Sequence, residues 1–402
     1  SVRFTFTHCD FYKVNHYLAT VVVPNIKRLL IDQDRIVSLF TNMMYYIIVP
    51  VLKNRSGTGI SNVILNMICE MSKLPFAYRV WRKEIWDVFI DNRFFNMTPG
   101  AAKKWRIIMQ TIMTSEKERF PELLGRLSTS PANALFVSKD QESLNRALNL
   151  RRISFVIYCG KENQYLPYLP SIQEKLVELF KLSLSELVHA EIYLTLRILM
   201  CRISNHHLSN FWPVILTELV RLFGMFLQKE PIEQPSEVVN VFLATCKFLD
   251  LLFILQTNDF QVYEWMFISD TINIINHALE WSPYALMDKL ADHLSGHQDD
   301  LSKLHLDNIE VRAGSPLLRT PTFSNGEFKR PMLTLKSITS VRQLEFFVRN
   351  VSLYNYQYIY TLAKPDYQYI ESLLENDMIE YGSIYNNVEL GSIDVGSGEI
   401  FT

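Results

Sequence analysis

Apolar residues return along this chain at helical spacing. Leu208, Phe211, Trp212, Ile215, Leu219, Leu222, Phe223 and Phe226 recur every three or four residues while Ser209, Glu218 and Arg221 fall elsewhere on the wheel. That pattern predicts a long amphipathic helix with one face in a core. Ser171 to Leu182 and Ser185 to Ile203 repeat it, each opened by a serine suited to an N-cap, and a Pro-containing turn at 231–237 leads into a further helix over Val238 to Gln256. In the stretch Trp81 to Ser128, Trp105, Ile108, Met109 and Ile112 share one face while Lys103, Arg106 and Gln110 occupy another. Roughly a dozen such helices, separated by short breaks and with no alternating β pattern, predict an all-α fold. At this length the arrangement expected is an irregular HEAT/armadillo-like α-solenoid of stacked antiparallel helices. Leu187, Leu194, Cys201 and Leu208 fall at seven-residue intervals, but Leu196, Ile198 and Leu199 widen the apolar face beyond a zipper seam, which favours packing inside the stack.

The pattern changes near residue 295. We therefore expect the solenoid to occupy 1–294, an irregular excursion 295–339 with a short strand at Met332 to Leu335, helices over 340–381 that pack on or cap the stack, and a polar, flexible tail over 382–402. The chain opens on Ser1 with no signal-peptide pattern, which reads as a fragment of something longer.

Of 402 residues, 48% are hydrophobic and 20% charged, so the chain can bury a large core. Apolar runs fall short of a membrane span: Met43 to Leu52 contains Pro50, and Val241 to Leu255 is interrupted by Lys247 and Asp250. Cys9, Cys69, Cys159, Cys201 and Cys246 are scattered without CxxC spacing, as expected of small buried thiols in a reducing compartment. The HExxH, GxxxxGK[ST], GxSxG and post-strand GxGxxG patterns are absent, and Gly57-Thr58-Gly59 reads as a turn. Adjacent His206 and His207 point about 100° apart on a helix and read as a helix start, while His8-Cys9-Asp10 has no second ligand pair at zinc spacing. No cofactor or metal is expected, and the chain reads as no enzyme. Nucleic acid is not expected either, since no RRM or KH signature and no overall positive charge is present.

Charge is uneven. Residues 73–152 hold fifteen Lys/Arg against eight Asp/Glu, whereas beyond Lys364 there are eight acidic residues and no basic one. Converging cations in the first region would attract an anionic leaflet or an acidic partner. The candidates are Arg82, Lys83, Lys103, Lys104, Arg106, Arg151 and Arg152; the alternative fate of each is plain solvated surface. The interleaved Trp81, Trp86, Phe94, Phe95 and Trp105 are expected in the core.

The blocks WRKEIWDVFIDNRFF and KKWRIIMQTIMTSEKERFPELLGRLS resemble the C-terminal region of the Dopey family, as do QYLPYLPSIQEKLVEL at 164–179, HHLSNFWPVILTELVRLF at 206–223, LATCKFLDLLFIL at 243–255 and YEWMFISD at 263–270, all in collinear order. Residues 1–74 match more loosely, and the tail after Tyr381 matches nothing known to us. The resemblance implies a non-catalytic scaffold on the cytosolic face of Golgi and endosomal membranes, working in retrograde traffic with a large Arf-exchange-factor-like partner and an aminophospholipid flippase. Contact of the basic stretch with phosphatidylinositol 4-phosphate or another anionic lipid is a separate expectation from charge. Two alternatives stay open: a purely protein-binding solenoid without lipid affinity, and a helical enzyme with a dispersed pocket. Oligomeric state is open as well, a homodimer included.

Overall fold

A computed structural model describes residues 8–29, 32–53, 60–128, 138–181, 185–228, 236–268, 285–295, 328–349, 351 and 363–379. The chain divides into two units: 1–123 with 158–160 and 375–402, and 124–157 with 161–374. The tail 382–402, the Gly57-Thr58-Gly59 turn and most of the 295–339 excursion lie outside the described residues.

The fold is all-α, as the periodicity predicts. Among the described residues the only β feature is one isolated bridge between Lys329 and Pro365. The strand expected at Met332 to Leu335 is therefore corrected: this segment joins no ladder, and the Met332 and Leu333 N–H groups donate to the Asp250 carboxylate instead.

The first unit opens with α1 (His8–Tyr17), α2 (Ile26–Leu29), α3 (Gln33–Met43) and α4 (Val49–Lys53), followed by α5 (Asn62–Ser72), α6 (Tyr78–Ile90), α7 (Pro99–Ser115) and the start of α8 (Arg119–Gly125). Local chemistry sets several of these starts. Asp32 accepts from the Asp34 N–H at 3.0 Å, Ser61 from Val63 at 3.3 Å, and Thr98 from Ala101 at 3.3 Å ahead of Pro99, whose missing N–H costs nothing in a first turn. Trp81, Trp86, Phe94, Phe95 and Trp105 are all buried, as expected. Phe94 meets Phe89, Phe95 and Trp105 edge-on, with centroids 4.9, 5.1 and 4.9 Å apart. The first two resemblance blocks are thus packed against each other.

The second unit holds α9 (Lys139–Cys159, all but its last two residues), α10 (Leu169–Lys181), α11 (Glu186–Arg202), α12 (Trp212–Leu227), α13 (Ser236–Leu255), α14 (Asn258–Gln261), α15 (Leu286–Ser295) and most of α16 (Tyr367–Met378). Cross-helix pairs give its order. Arg151 meets Glu191 and Ser154 meets Thr195, so α9 and α11 run in the same direction; Tyr193 lies on Phe248, with Arg197 close to Asp250, so α13 follows suit. The Phe226–Phe242 contact at 4.3 Å and the Trp212–Phe260 contact at 6.0 Å place α12 antiparallel to α13. Alternate helices sharing one direction is the layering of an α-solenoid. Residues 150–160, 191–200 and 245–254 are buried without a break, so these row helices are covered on every side.

Helix ends differ by one to four residues from the sequence expectation. Helix α10 begins at Leu169 and carries Pro170 inside its first turn, so Ser171 is not its cap. Ser185 does occupy the N-cap position of α11, but its hydroxyl makes no capping bond. Two 3-10 turns, Asn205–His207 and Ser209–Phe211, precede α12, and Gln256 at φ 46° ends α13.

One expectation about membranes also changes. By length and composition, Gln33–Lys53, Ser209–Leu227 and Glu237–Leu255 are each sufficient to cross a bilayer. Single interruptions in the apolar runs hid this: a π turn over Met44–Ile48 carries α3 into α4 through Pro50 as one 21-residue helix. The third of these spans is 83% buried within the fold, where Lys247 and Asp250 face protein.

Candidate functional site

Two helices carry the first candidates. Arg82 on α6 donates to Glu116 just past α7, and Arg119 donates to the same carboxylate at 2.7 Å and to Glu122 at 3.1 Å. The Arg119 guanidinium also lies 4.6 Å from the Trp86 ring centroid. Burial alone would raise the Glu116 carboxyl, but hydrogen bonds from Arg119 and Arg82, together with their charges, hold it below the ordinary carboxylate value. A depressed folded-state value contributes stability at neutral pH that is lost as pH falls through it. Glu116→Gln is accordingly expected to lower the urea midpoint at pH 7, with the difference from wild type shrinking toward pH 3; an equal difference at both pH values would contradict the ion-pair account.

Lys104 is half-buried, its Nζ donating to the Asn62 carbonyl at 3.3 Å and side-chain oxygen at 3.1 Å. Arg106 sits 4.8 Å from the Tyr158 ring centroid. Lys83 and Lys103 are exposed, as is Arg79 one turn before Lys83. The two lysines do not converge: Lys83 neighbours Arg82, which is level with Glu116, and Lys103 lies thirteen residues before Glu116, about 20 Å along the helical rise.

Arg151 and Arg152 are a correction. Both are buried, at 0% and 4% exposure, and neither can reach a membrane surface. Arg151 forks onto Glu191 through Nε and Nη2, and Arg152 donates to Asn149 at 2.7 Å. The signal was present in the sequence, since Leu150, Ile153, Phe155, Val156, Ile157 and Tyr158 leave α9 no polar face there.

A buried cluster that the charge reading missed lies between α11 and α13. Asp250, wholly buried, accepts the Met332 and Leu333 N–H groups at 2.8 Å each through one oxygen, with Arg197 and Lys247 near it. Burial pushes its carboxyl up to about 7 against the opposing pull of those hydrogen bonds and cations. Cys69, Cys159 and Cys246 are buried free thiols and Cys201 is partly so. Among the described residues no three His, Cys, Asp or Glu side chains group as metal ligands. His206 and His207 form part of a 3-10 turn ahead of α12, their rings 3.8 Å apart.

A family model described as DOP1 C-terminal matches residues 8–361. The chain belongs to the DOP1 C-terminal family. It is 28% identical over 366 residues to the Drosophila melanogaster "Protein DOP1 homolog", covering 80% of this chain and 14% of that protein. It is 27% identical over 379 residues to "Protein dop1" of Emericella nidulans, covering 90% and 20%. It is also 24% identical over 361 residues to "Protein DOP1" of Saccharomyces cerevisiae, covering 86% and 20%. The chain thus spans a fifth or less of the length of these DOP1 relatives. No solved structure matches it. The DOP1 match reaches past the collinear blocks to residue 361 and takes in the more loosely matching N-terminal helices from residue 8.

Proposed function

We propose that this DOP1 C-terminal segment is a non-catalytic scaffold of endosome-to-Golgi membrane traffic, docking a large Arf-exchange-factor-like protein and an aminophospholipid flippase at the cytosolic face of those membranes. The family match over 8–361 is the observation that carries the reading. An all-α stack whose strongest aromatic and charged residues hold helices to one another suits a protein that works by presenting surfaces. Anionic lipid contact, phosphatidylinositol 4-phosphate included, rests on Lys83 and Lys103 with Arg79, because Arg82, Arg151 and Arg152 are engaged within the fold.

Flotation with liposomes containing phosphatidylinositol 4-phosphate tests this. Each exposed lysine near a charged leaflet is worth about 1 kcal/mol, so Lys83→Ala with Lys103→Ala is expected to weaken binding about 30-fold. Binding should also fall with added salt, because exposed charges are screened over about 8 Å at physiological ionic strength. Wild-type protein that ignores these liposomes at low salt would leave the purely protein-binding scaffold. That second reading has its own support in the YEWMFISD block, where Trp265 is 69% exposed and Val262, three residues before it, 64%.

A further inference from the structure

The middle row of the second unit ends in a feature that packing alone does not call for. Asp250 sits in α13 amid Leu249, Leu251, Leu252 and Phe253, all buried. A leucine there would fill the space without the cost of desolvating a carboxylate. Its Oδ2 takes two consecutive backbone N–H groups, from Met332 and Leu333, while Oδ1 has no hydrogen-bond partner. Met332 and Leu333 are buried, Thr334 beside them is exposed, and a cleft remains along the segment between Arg197, Lys247, Leu251, Leu333, Ile370 and Leu374. The segment is pinned on both sides. Upstream, the Lys329 N–H donates to the Lys364 carbonyl at 2.8 Å and the Asp366 N–H donates to the Lys329 carbonyl at 2.9 Å, on either side of Pro365, and Arg330 pairs with Asp366 at 2.7 Å. Downstream, Ile338 is buried and Ser340 forms a capping box with Gln343.

We propose that the face of α13 around Asp250 is a receptor for an extended apolar segment, filled in the closed state by residues 331–335 of this chain acting as a strap that lifts between its two pins. Recognition is through two amides and two apolar side chains, so a segment of another protein with that chemistry takes the same place when the strap lifts. Closure is tied to a proton. The carboxyl is raised by burial when the strap is down, with Arg197 from α11 and Lys247 from α13 opposing, Cys246 from α13 beside it, and the apolar Ile370, Leu373 and Leu374 lining the cleft from α16. A lifted strap lets water reach Asp250 and returns it toward the ordinary carboxylate value. The closed state therefore holds the extra proton: closure is strongest below the ordinary carboxylate value, weakens as pH rises from there to about 7, and no longer changes above it.

Amide exchange of the wild-type chain tests the switch, with protection at Met332 and Leu333 referenced at each pH to a free peptide of residues 328–338. Protection is expected to fall about tenfold per pH unit between the ordinary carboxylate value and 7 and to level off above 7, and to stay high and flat in Asp250→Asn, which keeps an acceptor without a charge. The receptor is tested by adding the labelled peptide to Met332→Ser/Leu333→Ser, whose strap no longer competes. This variant is expected to bind at least tenfold more tightly than wild type at pH 6, and further addition of Asp250→Ala abolishes binding. Protection in wild type that does not change with pH, or no peptide binding by a Met332→Ser/Leu333→Ser protein with wild-type helical signal, overturns the proposal; the wild-type exchange result stands even if a variant misfolds.

Discussion

Glu191→Ala lowers unfolding free energy by about 3 to 5 kcal/mol, because it strands the Arg151 guanidinium in a dry row of helices. Arg151 is 0% and Glu191 2% exposed, so neither charge is solvated. Near them Ser154 and Thr195 share a hydrogen bond at 2.8 Å, so polar groups of α9 and α11 pair along one seam. Replacing both charges with apolar residues of similar volume, Arg151→Met with Glu191→Leu, should recover most of that loss, since the pair's attraction is set against two desolvation costs. Chemical denaturation of the two variants reads this directly. A double variant as unstable as the single one would mean that the pair specifies helix register beyond its own charge balance.

Trp212→Ala is expected to cost about 3 to 5 kcal/mol, the range for removing a large buried aromatic. Trp212 opens α12 at 2% exposure, with its ring against Phe260, and α12 in turn packs on α13 through Phe223 and Phe226. Its indole N–H is buried without a partner. Trp212→Phe should therefore cost clearly less, because it forfeits volume but no hydrogen bond. Thermal unfolding followed by circular dichroism separates the two substitutions. An alanine variant within about 0.5 kcal/mol of wild type, the usual span for surface changes, would remove Trp212 from the core.

The helices and their apolar faces were legible in the sequence because a helix buries one side and repeats every 3.6 residues, a local rule that Leu208 to Phe226 and Trp105 to Ile112 obey. The aromatic core of α6 and α7 followed from the same rule. Helix ends were less so: α10 starts at Leu169, ahead of the Ser171 expected to cap it, and a left-handed Gln256 stops α13. Local pattern was weakest for charge. Arg82 and Lys83 are neighbours in sequence, yet one is tied to Glu116 and the other faces water. Arg151 looked like a surface cation and is the most deeply buried of the candidates.

The sequence by itself determined that the chain is helical, which residues fill its core, and the family whose blocks it carries. Tertiary structure alone decided where each charge is spent, because Arg151 finds Glu191 forty residues away and Asp250 finds two amides more than eighty residues on. A charged side chain is stabilised by whatever partner or solvent surrounds it after packing, and no periodicity along the chain encodes that neighbour.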